Sequence, residues 1–214
     1  RSSIKKYFFN DNFYKKILKK KKKDKHLKKI FKRLKKYQKM IKFVYQDKPE
    51  GTGDAVLKCK KFLKGSHFLM LLADDLIIKK NCSREMISLH RKTKGSVIAT
   101  KRVERKTVSR WGILGFNNKK NNSFLINEVI EKPKLKEAPS NYAIIGRYIL
   151  PRKILSVLKN QKRGKGGEIH ITDSIRTLIK RGEKFYGNIF KGLYLDSGTL
   201  EGYIKSNLKI SKLK

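Results

Sequence analysis

Apolar residues recur along this chain with two spacings, and the spacing changes from segment to segment. Leu27, Ile30, Phe31 and Leu34 stand at i, i+3, i+4 and i+7, one face of an α-helix, and Tyr37 and Ile41 extend the stripe. A helix is therefore predicted over 13–42. The run Lys19–Lys23, with Lys25 after it, interrupts the apolar face. Like charges at helical spacing repel, so a bend or a solvated helix end is predicted there. Lys42–Tyr45 reads as a short strand, followed by a turn-rich stretch from Asp47 to Gly53 and a helix from about Asp54 through Ala55, Leu57 and Leu63. Phe68–Leu72 is a wholly apolar run of strand length, 83–93 has helical spacing and 96–103 reads as strand. Strand and helix in alternation argue for a mainly parallel sheet with crossover helices.

Past residue 110 the rhythm shortens. Ile113–Phe116 and Phe124–Ile130 read as two strands joined by the polar tip Asn117–Asn122, and Tyr142–Ile149 as another. A helix over Pro151–Leu158, a glycine turn over Gly164–Gly167 and a helix over Thr172–Lys180 follow. Phe185–Ile189 and Gly192–Leu195 suggest a closing hairpin before a last helix over 199–209. No internal repeat and no proline-rich linker interrupts the pattern, so a single α/β domain over 1–214 is expected.

Composition narrows the class. With 38% hydrophobic residues, the 214-residue chain can bury a full core, and its 34% charged fraction does not make it disordered. The net charge of +39 predicts attraction to polyanions. The excess is mostly lysine, however, spread over the whole chain, whereas arginine is the usual reader of bases and bidentate phosphates. Nucleic acid is thus expected to bind only nonspecifically and with strong salt dependence. Cys59 and Cys82 form no CxxC pair, and His26, His67, His90 and His170 show no metal-ligand spacing, so neither a disulfide framework nor a zinc site is expected. Phe68–Ala73, the longest apolar stretch, stops at Asp74-Asp75 and is far short of the ~20 residues a membrane span needs. A cytoplasmic protein without membrane contact is expected. The first residue is Arg1, so the chain is expected to begin inside a longer protein.

The candidate chemistry lies where apolar strands meet carboxylates. Leu71-Leu72-Ala73-Asp74-Asp75 puts acids at the end of a strand, the edge where open α/β sheets bind ligands. Tyr194-Leu195-Asp196-Ser197-Gly198 repeats the arrangement far downstream, although Asp196 in that setting is also a plain helix cap. Asp74 and Asp196 together would suit Mg²⁺, which takes one or two carboxylates and completes its shell with substrate phosphates. Such a site serves phosphoryl-type transfer, which needs neutralised charge and aligned reactants rather than a covalent nucleophile. Gln46 and the glycines Gly51 and Gly53 form a turn that could face a flat or anionic ligand, and Glu131-Lys132-Pro133 pairs a hydrogen-bond acceptor for hydroxyls with a cation for a phosphate.

These segments occur in an order that resembles the bacterial UDP-glucose pyrophosphorylases (UTP–glucose-1-phosphate uridylyltransferases) from about Ser3 to Leu208. The resemblance is carried by Gly51-Thr52-Gly53-Asp54-Ala55-Val56, Leu71-Leu72-Ala73-Asp74-Asp75, Trp111-Gly112-Ile113 and Val129-Ile130-Glu131-Lys132-Pro133. Ile145-Gly146-Arg147-Tyr148, Gly166-Gly167-Glu168-Ile169-His170-Ile171-Thr172-Asp173 and Leu195-Asp196-Ser197-Gly198 are its most specific parts. It implies a Rossmann-like, mixed but mainly parallel sheet of the nucleotide-diphospho-sugar transferase type, lacking its first βα units. It implies synthesis of UDP-glucose and pyrophosphate from UTP and glucose 1-phosphate, with Mg²⁺ as cofactor and a homodimer or homotetramer as assembly. Gln46 and Gly51 would contact the uracil, and Asp74 and Asp196 would hold the metal. Gly112 and Glu131 would contact glucose, Lys132 the phosphate of glucose 1-phosphate, and Asn141, Gly146 and Glu168 the sugar side of the pocket. The Leu195–Thr199 ending leans towards glucose-1-phosphate thymidylyltransferases, while Gly146-Arg147-Tyr148 leans towards the uridylyl enzymes. The family's opening loop, Gly-x-Gly-Thr-Arg followed by Pro-Lys, has no counterpart here, so this chain is expected to turn over little by itself. The alternative on composition alone is a basic polyanion-binding protein.

Overall fold

The computed structural model describes residues 2–9, 16–17, 20 and 24–213. Contacts divide the chain into two compact units, Arg1–Asp47 and Lys48–Lys214.

In the first unit, α1 (Ser2–Phe9) and α2 (Lys25–Met40) are helical. Asp24 caps α2, its side chain accepting from the Leu27 amide at 3.0 Å, which explains a start just past the lysine run. Phe31 and Leu34, both on the predicted stripe, are its buried residues. The part of the predicted helix over 13–15, 18–19 and 21–23 lies outside the described residues, and so does any bend at the lysine run. The strand predicted at Lys42–Tyr45 does not form: 41–46 carries no regular structure.

The second unit is an eight-stranded sheet with helices on both faces, plus a two-stranded ribbon. Its strands are β1 (His67–Leu71), β3 (Ser96–Arg102), β4 (Gly112–Gly115), β5 (Lys119–Lys120), β6 (Ser123–Ile126), β7 (Glu128–Glu131), β8 (Tyr142–Pro151) and β9 (Phe185–Ile189). The ribbon pairs β2 (Asp75–Ile78) with β10 (Leu193–Asp196). The helices are α3 (Thr52–Lys58), α4 (Cys82–Thr93), α5 (Ile154–Lys159), α6 (Ile171–Lys180) and α7 (Leu200–Ser211).

Side chains alternate across the sheet with a period of two, and each face has its own core. Ile98, Ile144, Tyr148 and Leu150 join Ile154, Leu158, Ile175 and Phe185 on the face covered by α5 and α6. Val97, Ala99, Ile145 and Ile149 meet Cys82 and Met86 of α4 on the other. α4 owes its start to Asn81, whose side chain accepts from the Arg84 amide at 3.0 Å. Asn81→Ala is expected to lower the unfolding free energy by about 1 kcal/mol, seen as an earlier urea midpoint with unchanged slope.

The mixed α/β class matches the sequence, but the strand directions do not follow the mainly parallel expectation. Among the described pairings only β3–β9 is parallel. The cause lies in the short links after residue 110, because strands joined by tight connections must run antiparallel. Phe124–Ile130 breaks at Asn127, whose amide donates to the Gly115 carbonyl at 3.0 Å; β6 then pairs with β5 and β9, while β7 pairs with β4. The closing hairpin also fails, since β9 lies between β3 and β6 while β10 takes β2 as partner. The apolar run Phe68–Leu72 is strand as far as Leu71, but it is not parallel to its neighbour. Its described partner is β8 alone, antiparallel, and Leu69 and Leu71 stay exposed. Pro151 ends β8 rather than opening the next helix.

The ten-residue β8 carries two partners end to end along one edge. β1 pairs with its later half, down to Leu71 opposite Arg147, and β4 with its start, where Ile113 faces Ala143. Between them, at Ile144–Gly146, no strand lies along that edge among the described residues, and after Leu71 the chain leaves the sheet as the turn before β2.

Candidate active site

That gap opens into a cavity of about 340 Å³. Leu72, Asp74 and Asp75 line it from the end of β1, Trp111 and Gly112 from the start of β4, and Glu131 and Lys132 from the end of β7. Glu168, His170 and Thr172 close it from the start of α6, and Asp196 from the end of β10. Of the residues singled out in the sequence, Asp74, Gly112, Glu131, Lys132, Gly146, Glu168 and Asp196 are thus brought together.

The carboxylates occupy three different environments. Asp74 is exposed, Asp196 half-buried and Asp75 buried. The ribbon sets two of them in register, with Asp196 directly opposite Asp75. The Ser197 amide donates to the Asp74 carbonyl at 2.9 Å, tying the two acidic turns together. A Cβ on Gly198 would meet Asp74 Oδ2 at 3.1 Å and Asp196 Oδ1 at 3.3 Å. Both oxygens therefore converge on the space in front of Gly198, and Asp196 Oδ1 also accepts from the Gly198 amide at 2.9 Å. Asp75 points the other way. Its Oδ2 accepts from the Gly146 amide at 2.7 Å and its Oδ1 from the Tyr194 hydroxyl. Burial pushes the Asp75 carboxyl above the usual range; the hydrogen bonds from Tyr194 and Gly146 oppose that shift, and Asp74 and Asp196 add to it. The Tyr194 phenol is raised too, by burial first and then by Asp75, so the hydroxyl is the donor of the pair.

Across the cavity, Gly112 pairs with Glu131 in the β4–β7 ladder. A Cβ there would lie 3.1 Å from Glu131 Oε2 and 3.2 Å from the Thr172 methyl, so glycine leaves room for both side chains. Thr172 Oγ1 donates to Glu131 Oε2 at 2.9 Å, fixing the carboxylate at the start of α6. Lys132 follows with φ +46°, a left-handed conformation that costs a non-glycine residue about 1–3 kcal/mol. Two hydrogen bonds hold it: its amide donates to the Trp111 carbonyl at 2.9 Å and its carbonyl accepts from Lys165 Nζ at 2.6 Å.

Three singled-out residues stand elsewhere. Gly51 is next to the cavity but outside its lining; with φ +102°, a Cβ would sit 2.7 Å from the Ile169 carbonyl oxygen. Its smallness, like that of Gly53, lets 50–53 pack against the segment before α6, where Gly53 N–H donates to the same carbonyl at 2.7 Å. Asn141 precedes β8, its carbonyl accepting from the Val103 amide at 2.9 Å, and is not a lining residue. Gln46 belongs to the first unit.

Sequence reasoning gave no role to Tyr194, Thr172 or Arg147. The Arg147 guanidinium donates to the carbonyls of Leu72 (2.7 Å), Gly146 (2.8 Å) and Asp75, clamping the turn that carries both aspartates. The signal available was an arginine inside a buried apolar strand, where a charge needs acceptors. Among the described residues no group of three or more His, Cys, Asp or Glu side chains forms a ready metal cage, and no helix is long and apolar enough to cross a membrane.

A mixed sheet covered by helices, with carboxylates gathered at strand ends, defines an α/β protein with a candidate ligand site at the edge of its sheet. The chain belongs to the nucleotidyl transferase family, whose model matches residues 4–212. It is 36% identical over 174 residues to a UTP–glucose-1-phosphate uridylyltransferase of Streptococcus pyogenes serotype M3, covering 78% of this chain and 58% of that protein. The chain therefore spans little more than half the length of the curated relatives it matches. Among solved structures, a UDP-glucose pyrophosphorylase complexed with UDP-glucose aligns at TM-score 0.77 and 35% identity, over 81% of this chain and 66% of that one. A UDP-glucose pyrophosphorylase from Acinetobacter baumannii aligns at TM-score 0.77 and 29% identity, over all of this chain and 75% of that one.

Proposed function

We propose that this chain carries the sugar- and metal-binding part of a UTP–glucose-1-phosphate uridylyltransferase, which forms UDP-glucose and pyrophosphate. The observation that carries the reading is the convergence of Asp74 and Asp196 in front of Gly198, within the same cavity as the Glu131–Thr172 pair. Two carboxylate oxygens without a third protein ligand fit Mg²⁺, which retains waters and takes the rest of its shell from phosphates. When bound, the ion would neutralise charge on the phosphates.

The chain's own residues supply position. Glu131, held by Thr172, would accept hydrogen bonds from glucose hydroxyls beside Gly112, with Glu168 and Gly146 of the same cavity and Asn141 from outside its lining also serving the sugar. Lys132, which lines the same cavity, would bind the phosphate of glucose 1-phosphate. Gly51, beside the cavity, would meet the uracil. The glucose 1-phosphate oxygen would then attack the α-phosphorus of UTP in line, with pyrophosphate leaving. Assembly as a homodimer or homotetramer and a cytoplasmic location belong to the same proposal.

Calorimetric titration with UDP-glucose, with and without Mg²⁺ and at moderate salt, tests it beside dTDP-glucose and a DNA oligomer. UDP-glucose is expected to bind only with the metal and more tightly than dTDP-glucose. If DNA alone binds, and its affinity collapses as salt rises, the net charge of +39 governs recognition and the proposal fails.

A further inference from the structure

Asp75 is the one carboxylate of the trio that does not face the space at Gly198, and it is also the most buried. Its two oxygens are spoken for by groups from distant parts of the chain, the Gly146 amide of β8 and the Tyr194 hydroxyl of β10. The backbone on either side is fixed as well. Arg147 holds the carbonyls of Leu72 and Asp75, and the Leu72 amide donates to the Gly146 carbonyl at 2.8 Å. Asp74 lies between these clamped residues, and its own carbonyl accepts from the Ser197 amide at 2.9 Å. On the opposite strand Tyr194 is two residues from Asp196, and Asp196 is the ladder partner of Asp75.

On the reading of Asp74 and Asp196 as metal ligands, we propose that Tyr194, acting through Asp75, is a positioning residue that sets how those two carboxylates face each other. The Tyr194–Asp75 bond crosses the ribbon diagonally, tying the residue after one ligand to the residue two before the other. With that bond in place, the turn bearing Asp74 and the turn bearing Asp196 move as one body. Without it, the Asp75 side chain keeps the Gly146 amide only, and the two turns are joined to each other by backbone hydrogen bonds, Ser197 to Asp74 among them. Tyr194 is not among the residues lining this cavity, and its hydroxyl is turned to Asp75. Packing does not account for the hydroxyl either. The ring lies 6.3 Å from Trp111, edge to face, and Lys101 stands 5.7 Å above it, contacts that a phenylalanine would keep.

The test is Tyr194→Phe in the 214-residue chain, with Mn²⁺ as the spin-active probe in the presence of UDP-glucose. Partners that orient a metal ligand are worth about ten- to a hundredfold in affinity, so Mn²⁺ binding is expected to weaken about tenfold. Asp75→Asn, which keeps the side-chain size, should shift it in the same direction. The melting temperature is recorded for both, because a tyrosine serving structure alone would lower it and leave Mn²⁺ affinity untouched. That result would overturn the positioning role while the metal site stands. Absence of Mn²⁺ binding in the unaltered chain would instead overturn the metal reading, and the positioning role with it.

Discussion

Gly146→Ala is expected to cost this chain about 3 kcal/mol of stability and to abolish Mg²⁺-dependent binding of UDP-glucose. The added Cβ would lie 2.3 Å from Asp75 Oδ2 and 2.6 Å from Leu72 Cβ, well inside any tolerated contact. Neither neighbour can step aside cheaply. Leu72 is tied to Gly146 by a backbone hydrogen bond of 2.8 Å, and Asp75 Oδ2 is itself bonded to the Gly146 amide at 2.7 Å. Relief must come from moving the turn away from β8, which breaks that bond to a buried carboxylate. Overpacking of this kind costs about 1–3 kcal/mol, and a lost hydrogen bond to a charged group about 1.5–3 kcal/mol, so a total near the upper end of the first range is a conservative sum. Since the same turn carries Asp74, binding fails together with stability. A urea denaturation curve and a titration read the two effects. A variant with an unchanged midpoint would show that the turn yields freely, and the rigid arrangement described for Asp74 and Asp75 would be wrong.

The local elements were largely legible because they depend on local spacing. The stripe from Leu27 to Leu34 marked α2, and the run at 96–103 marked β3, whose first five residues are all buried. That Asp74, Glu131 and Asp196 share one cavity was legible for a different reason: each stands at or just past the end of an apolar run, the edge where open sheets meet ligands. Pairing was not legible. Nothing in Phe124–Ile130 announces that Asn127 turns the chain towards Gly115, splitting one run between two partners. The strand β2 was hidden because Leu76-Ile77-Ile78 is a short apolar run, and only β10, far along the chain, makes it a strand. The same distance hid Tyr194, whose importance lies in a hydroxyl bonded to a residue 119 positions earlier. The Gly51–Gly53 turn shows the converse. Its glycines suggested an approach to a ligand, and the structure adds a packing role that the sequence did not announce, since the volume they spare is filled by Ile169, Glu168 and Leu158.

Asp196 carries the second large effect, and two substitutions separate its two roles. Its Oδ1 accepts from the Gly198 amide at 2.9 Å, the short-range bond by which aspartate and asparagine commonly hold a turn. The same atom is one of the two that converge on the space at Gly198. Asp196→Ala removes both roles. Asp196→Asn keeps an acceptor for the turn but removes the charge a divalent cation requires. If the carboxylate is a metal ligand, both variants should lose more than about a hundredfold of the Mg²⁺-dependent affinity for UDP-glucose, because even the partners of a metal ligand are worth ten- to a hundredfold. That loss corresponds to at least about 2.7 kcal/mol of binding free energy. If Asp196 is only a turn residue, the asparagine variant should bind as the unaltered chain does, and only alanine should weaken binding. The comparison also bears on Asp74, which has no such turn bond among its described contacts. Asp74→Asn should therefore match Asp196→Asn in metal-dependent binding while leaving the melting temperature closer to that of the unaltered chain.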